Sequence, residues 1–203
     1  AGSGTDTIAG GTGNDTFKFG SAANALGDSI TDFASTGSGT NDTIDVALTY
    51  SSLLSGVTVN AQRTGTGVAG LSAAEATLSG ERGQFVYDTT NSMLYVNATA
   101  DGSITNSDYK ISVNAATTAK DTIADNDVTF TVTGTGYDDT IRGGEGIDSL
   151  TGGAGADDFL MYDTAYSNAA VVDVIEDFTI AQTDQVQFDI SDIESITAVN
   201  LSL

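Results

Sequence analysis

The chain has 203 residues, 28 acidic against 6 basic side chains, a formal net charge of -22, and no His, Cys, Pro or Trp. This inventory cannot build a Ser–His or Cys–His nucleophile pair, a disulfide, or a zinc, haem or iron–sulfur centre of the usual kind. A polyanion of this strength argues against nucleic acid as a partner, and no apolar run reaches the ~18 to 20 residues that insert across a membrane as a helix.

The acids are lopsided, with 23 Asp and 5 Glu. Short carboxylates on loops suit hard cations with oxygen ligands. A solvated acidic surface explains the same count, and composition alone does not separate the two. With 39% hydrophobic residues a core can form, but low hydrophobicity with high charge also marks disorder, so a folded chain needs something to neutralise it. The opening Ala-Gly-Ser-Gly-Thr-Asp shows no signal peptide and reads as a piece of something longer.

Residues 1–9 (AGSGTDTIA) and 10–18 (GGTGNDTFK) follow a nine-residue pattern, G-G-x-G-x-D-x-U-x, where U is large and apolar. The glycine-rich hexad allows tight turns with carbonyls aimed at a cation, and the sixth-position Asp adds a charged oxygen. The last three residues predict a short strand whose U side chain, Ile8 or Phe17, faces a core. Next come Asp28-Ser-Ile-Thr-Asp32-Phe33 and Asp42-Thr-Ile44, the latter closing a loop from Gly37. Residues 71–78 predict a short helix with a Ser72–Glu75 capping box, ended by Gly80. Strands are predicted at 84–88 and 93–97, joined by a turn at 89–92, and again at 109–113 and 128–132. Between them, Asn97 to Asp108 has the spacing of an EF-hand loop: oxygen side chains at Asn97, Thr99, Asp101 and Asp108, and Gly102 at the turn. An Asp-Gly turn of a hairpin is the plainer alternative.

The nonapeptide returns three times, at 134–142 (GTGYDDTIR), 143–151 (GGEGIDSLT) and 152–160 (GGAGADDFL), with U residues Ile141, Leu150 and Phe159. Asp173-Val-Ile-Glu-Asp177-Phe178 then parallels 28–33, and Asp184-Gln-Val186 parallels 42–44. Gly10 and Gly152 begin matching units 142 residues apart, so the chain spans about 1.4 copies of a longer module and reads as a fragment of a tandem array.

On these repeats the chain resembles the RTX (repeats-in-toxin) family of secreted bacterial proteins, closely over 1–48 and 134–203. The resemblance implies a calcium-binding parallel β-roll and type I secretion. It implies that Ca2+ is held by Asp6, Asp15, Asp139, Asp148 and Asp157, with carbonyls of Gly2, Gly4, Gly11, Gly13, Gly144, Gly146, Gly153 and Gly155. Asp28, Asp32, Asp173 and Asp177 join the candidates from the D-x-I-x-D-F segments, which look like strands capping an open roll end. Asn97, Asp101 and Asp108 join them from the EF-hand-like loop.

The fold expected is all-β. Two short calcium-binding parallel β-rolls with capping strands, 1–48 and 134–203, flank a β-rich insert, 49–133, with one or two short helices. Loops on one side of a roll are two units apart, so the trio at 134–160 can form a complete cage. The pair at 1–18 needs another loop, and the one ending at Asp42 is the candidate. The function expected is a calcium-binding structural module, secreted or on the cell surface, which folds on calcium after export by type I machinery. The alternative is an adhesin or surface-layer module contacting glycans or its own copies through calcium. No catalytic role is expected: in Asp138-Asp139 and Asp157-Asp158 strand neighbours point to opposite faces.

Overall fold

The computed structural model describes residues 2–34, 41–64, 68–115, 123, 127–144, 146–161 and 173–188. Among them, strands alternate between two sheets. In the first repeat segment β1 (Thr7–Ile8) and β3 (Ser29–Phe33) lie in one sheet, β2 (Thr16–Phe19) and β4 (Thr43–Thr49) in the other. In the second, β10 (Thr140–Arg142), β12 (Asp158–Met161) and β14 (Gln185–Phe188) lie in the first sheet. There β11 (Ser149–Thr151) and β13 (Val174–Ile175) join β9 (Val128–Thr133) in the second. Thr140 pairs with Asp158 in parallel register, an 18-residue coil made of two nonapeptides. Each repeat strand begins at the seventh position of its unit, as the pattern predicts.

Period-two alternation builds the core. Ile44, Val46 and Leu48 of β4 and Val128, Phe130 and Val132 of β9 point inward, while Thr43, Asp45, Thr129 and Thr131 face out. Of the U residues, Phe17, Ile141, Leu150 and Phe159 are buried, and Ile8 packs against the same cluster. Each fully buried aliphatic or aromatic side chain contributes roughly 1.5–3 kcal/mol. Ring pairs Phe17–Phe33 (6.1 Å), Phe85–Phe130 (5.9 Å) and Phe159–Phe178 (6.5 Å) mark the seam between the sheets.

The insert widens one sheet by four strands and the other by β9 alone. β5 (Thr58–Arg63), β6 (Arg82–Asp88), β7 (Met93–Val96) and β8 (Tyr109–Ala115) stand between β3 and β10, giving the nine-stranded order β1-β3-β8-β7-β6-β5-β10-β12-β14. Only β7 runs antiparallel to its neighbours. In the five-stranded sheet, β13-β11-β9-β4-β2, β4 and β9 are direct neighbours. Strands of all three sequence segments therefore share two sheets. β6 is buried on both faces, because Val86 on its outer side, with Tyr95 opposite it on β7, is covered by Ala74 and Ile104. Gly83 (φ +88) lies at a register shift in the β5–β6 pair, where a Cβ would come 2.9 Å from the Ala61 backbone.

Two expectations change. The helix, α2 (Leu71–Glu75, after the short α1, Ala22–Ala25), is capped at Gly70 without a side-chain bond. The helix starts before Ser72, which lies in its first turn, so the Ser72–Glu75 box is not made; Glu75 Oε1 instead accepts the Ile104 N–H (3.0 Å) and ties the helix to the 97–108 loop. The D-x-I-x-D-F segment at 28–33 does not close an open end. It is β3, an interior strand, because the insert returns β8 to its far edge; its counterpart β13 is an edge strand.

Candidate metal centre

The glycines of each hexad leave space for the carboxylate that follows. A Cβ on Gly10, Gly143 or Gly152 would lie 2.5, 2.5 or 2.3 Å from Oδ2 of Asp15, Asp148 or Asp157, because each aspartate folds back over its own loop. Gly153, at φ +104, packs so closely on the coil beside it that a Cβ would lie 2.0 Å from the Thr135 carbonyl oxygen.

The aspartates form ladders along the roll. One carboxylate oxygen, Oδ1, accepts the backbone N–H at the matching position of the adjacent coil. In the nine-stranded sheet Val57 N–H donates to Asp139 (2.6 Å), Asp139 N–H to Asp157 (2.9 Å) and Asp157 N–H to Asp184 (3.2 Å). At its other end Asp6 N–H donates to Asp28 (2.8 Å). In the five-stranded sheet Phe130 N–H donates to Asp148 (2.7 Å), Asp148 N–H to Asp173 (3.0 Å) and Asp15 N–H to Asp42 (3.0 Å). The structure thus brings Asp6, Asp15, Asp139, Asp148, Asp157, Asp28 and Asp173 into ladders. The loop ending at Asp42 does partner the loop at 10–15; its residues 37–40 lie outside the described residues.

The second oxygen is where the chemistry lies. Oδ2 of Asp15, Asp28, Asp148 and Asp157 is buried and has no hydrogen-bond partner. A buried carboxylate oxygen without a donor costs several kcal/mol unless it is protonated or meets a cation. Burial, followed by the charge of Asp173, pushes the Asp148 carboxyl up to about 9, against the hydrogen bond from Phe130. Burial raises Asp157 as well, with Asp139, Asp184 and Asp177 adding repulsion. Asp88 shows the contrast: burial would raise it too, but donors from Asn91, Gly70 and Thr90 hold it below the usual range.

Among the described residues no three carboxylates converge to hold a metal by side chains alone. The remaining ligands have to be loop carbonyls, as a hard cation accepts and as the glycine hexads supply. The residues present fit Ca2+: buried carboxylate oxygens without a donor, glycine-rich loops beside them, and no His or Cys in the chain.

The other predicted ligands sit differently. Asp32 accepts Gly10 and Gly11 N–H (3.0 and 2.9 Å), and Asp177 accepts Gly152 and Gly153 N–H (2.9 and 2.8 Å). In the 97–108 loop both Asp108 oxygens are filled, by Ala98 and Thr99 on one side and Thr105 on the other. Asp101 caps Ser103 N–H, and the Asn97 amide donates to the Glu81 carbonyl. Asp138 is exposed while its neighbour Asp139 is buried, so the pair does not share a face.

Two ladder members, Asp42 and Asp184, were not among the predicted ligands. The signal was present in their own 142-residue offset, the same as that of Asp15 and Asp157. The RTX calcium-binding nonapeptide repeat matches the chain in four copies, over residues 1–21 and 133–160. No curated protein and no solved structure matches it. The loops at 1–21 and 133–160, which carry Asp6, Asp15, Asp139, Asp148 and Asp157, are thus similar to RTX calcium-binding nonapeptide repeats.

Proposed function

We propose that the chain is a structural module whose folding is driven by calcium, within a large bacterial protein exported through a type I channel. The observation that carries this reading is the set of four buried carboxylate oxygens lacking a donor. Without cations the ladders place like charges side by side on a chain of net charge -22, which favours the unfolded state in a low-calcium cytosol. Where calcium is millimolar, ions bound between coils offset that repulsion and cross-link loops far apart in sequence, in place of disulfides. Circular dichroism tests the proposal. Little structure in excess chelator and cooperative folding on adding calcium support it; a spectrum indifferent to chelator refutes it.

A second reading, a surface-binding module contacting glycans, is favoured by one feature. The outer face of the five-stranded sheet holds a cleft of about 410 Å³ whose lining includes Thr16, Thr43, Thr129, Thr131 and Ser149 around the Lys18–Asp45 ion pair (3.1 Å), with Ile147 as its apolar wall. Its hydroxyls and charges suit a neutral polyhydroxyl ligand. A glycan array probed with and without calcium tests it, and no calcium-dependent signal on any sugar refutes it.

A further inference from the structure

The four described nonapeptides whose second-position N–H is accounted for divide into two kinds. In the unit at 1–9, Gly2 N–H donates to Oδ2 of its own Asp6 (3.2 Å). In the unit at 134–142, Thr135 N–H does the same to its own Asp139 (2.6 Å). These carboxylates have their outer oxygen occupied from within the loop. In the units at 10–18 and 152–160 the same N–H points elsewhere. Gly11 donates to Oδ2 of Asp32 (2.9 Å) and Gly153 to Oδ2 of Asp177 (2.8 Å). In these two units Oδ2 of Asp15 and Asp157 is buried and bare.

The first-position N–H shows what Asp32 and Asp177 replace. Where another nonapeptide stacks above, as unit 152–160 does on 134–142, Gly134 N–H donates to the Thr151 carbonyl (2.8 Å). Gly10 and Gly152 each begin the last unit of an array, with no nonapeptide above on that side. Their N–H groups donate to Oδ1 of Asp32 (3.0 Å) and of Asp177 (2.9 Å). One carboxylate, 21 to 25 residues downstream, thus receives two adjacent amides in both copies.

We infer that the second aspartate of each D-x-I-x-D-F segment, Asp32 and Asp177, is a positioning residue and not an ion ligand. It ends the array by standing in for the missing next repeat. It also draws the second-position amide away from Asp15 or Asp157, leaving that carboxylate's outer oxygen free for calcium. The first aspartate of the segment, Asp28 or Asp173, belongs to the ladder instead. This inference rests on the calcium reading above.

The test is D177N and D32N in the full chain, with bound calcium counted by native mass spectrometry and the calcium midpoint followed by circular dichroism. An Asn can accept from one glycine but turns its amide against the other. The ion count stays that of the wild type, while the midpoint rises about 10- to 100-fold, as for other outer-sphere partners of a metal ligand. D157N in the same assay loses an ion. Loss of an ion in D177N, or an unmoved midpoint, overturns the assignment. Amide exchange in the wild-type calcium form needs no variant: protection at Gly11 and Gly153 supports the clamp, and free exchange at either overturns it. A wild type that takes up no calcium fails the underlying reading and this one together. A wild type that binds, with D177N one ion short, fails this one alone.

Discussion

Asp148→Asn separates the charge of the ladder from its geometry. The Asn oxygen can still accept the Phe130 N–H that Asp148 holds at 2.7 Å, so the ladder survives. What disappears is a titratable carboxyl buried beside Asp173: that of Asp148 itself stands at about 9 against an ordinary 3.8, so the ion-free fold holds it protonated at pH 7. At 1.36 kcal/mol per pH unit, taking up the proton that this group lacks in the unfolded chain at pH 7 costs the ion-free fold about 4 kcal/mol. The Asn amide replaces the bare Oδ2 and lacks a buried acceptor, a penalty of about 1–3 kcal/mol. The ion-free fold therefore gains about 1–3 kcal/mol, while the calcium form loses a charged ligand. Urea unfolding followed by circular dichroism, in excess chelator and in saturating calcium, reads both signs. D148N has the larger folded fraction of the two proteins in chelator and gains less from calcium. A variant less folded than wild type in chelator would refute the claim that this carboxyl disfavours the fold until a cation meets it.

Protons should partly replace calcium. Asp148 is raised to about 9 in the fold and Asp157 is raised as well, so the folded state binds more protons than the unfolded one above about 3.8, up to about 9 for Asp148, and ion-free stability rises as pH falls through that window. Asp88, held below the usual range, acts oppositely and sets the lower limit near its ordinary 3.8. Acidifying the chelated chain from pH 8 to 5 increases its β signal; a loss of signal there contradicts the ladder electrostatics. Gly152→Ala places a methyl 2.3 Å from Asp157 Oδ2, displaces the carboxylate and removes one ion by calorimetric titration. Asp108→Ala removes an acceptor with five hydrogen bonds and lowers the urea midpoint by the equivalent of about 1–3 kcal/mol, with the ion count unchanged. Phe130→Ala, emptying a site that is 1% exposed between the sheets, costs the calcium form about 3–5 kcal/mol by urea unfolding.

The repeat strands were legible residue by residue, because a nonapeptide fixes its turn, its charged oxygen and its buried U side chain within one local segment. Ile141, Leu150 and Phe159 needed no tertiary information to be placed. The split between the two aspartates of D-x-I-x-D-F was not legible. Asp28 and Asp32 are the same residue type four residues apart, and only the coils they meet, at Asp6 and at Gly10–Gly11, distinguish them. The capping box at Ser72 failed because the helix starts before it, and local spacing cannot show that the Ile104 amide, 29 residues further on, meets Glu75. The insert's place was equally hidden, since β4 and β9 pair across a gap with no repeat to span it.

The long period acquires a geometric meaning once the sheets are known. Thr16 and Asp158 are 142 residues apart and begin matching strands, yet β2 lies in the five-stranded sheet and β12 in the nine-stranded one. The same exchange holds for β1 with β11, β3 with β13 and β4 with β14. From β2 to β12 the chain crosses between the sheets an odd number of times, because β5 to β8 all stay in one of them. Each matching ladder therefore reappears on the opposite wall of the roll. The nine-residue rule survives this exchange because it asks only for a loop, an aspartate and an inward apolar residue, and either wall supplies the same core. The insert's constraint is different in kind: it can be long, and it can widen one sheet, provided it returns β8 beside β3 and leaves β9 beside β4.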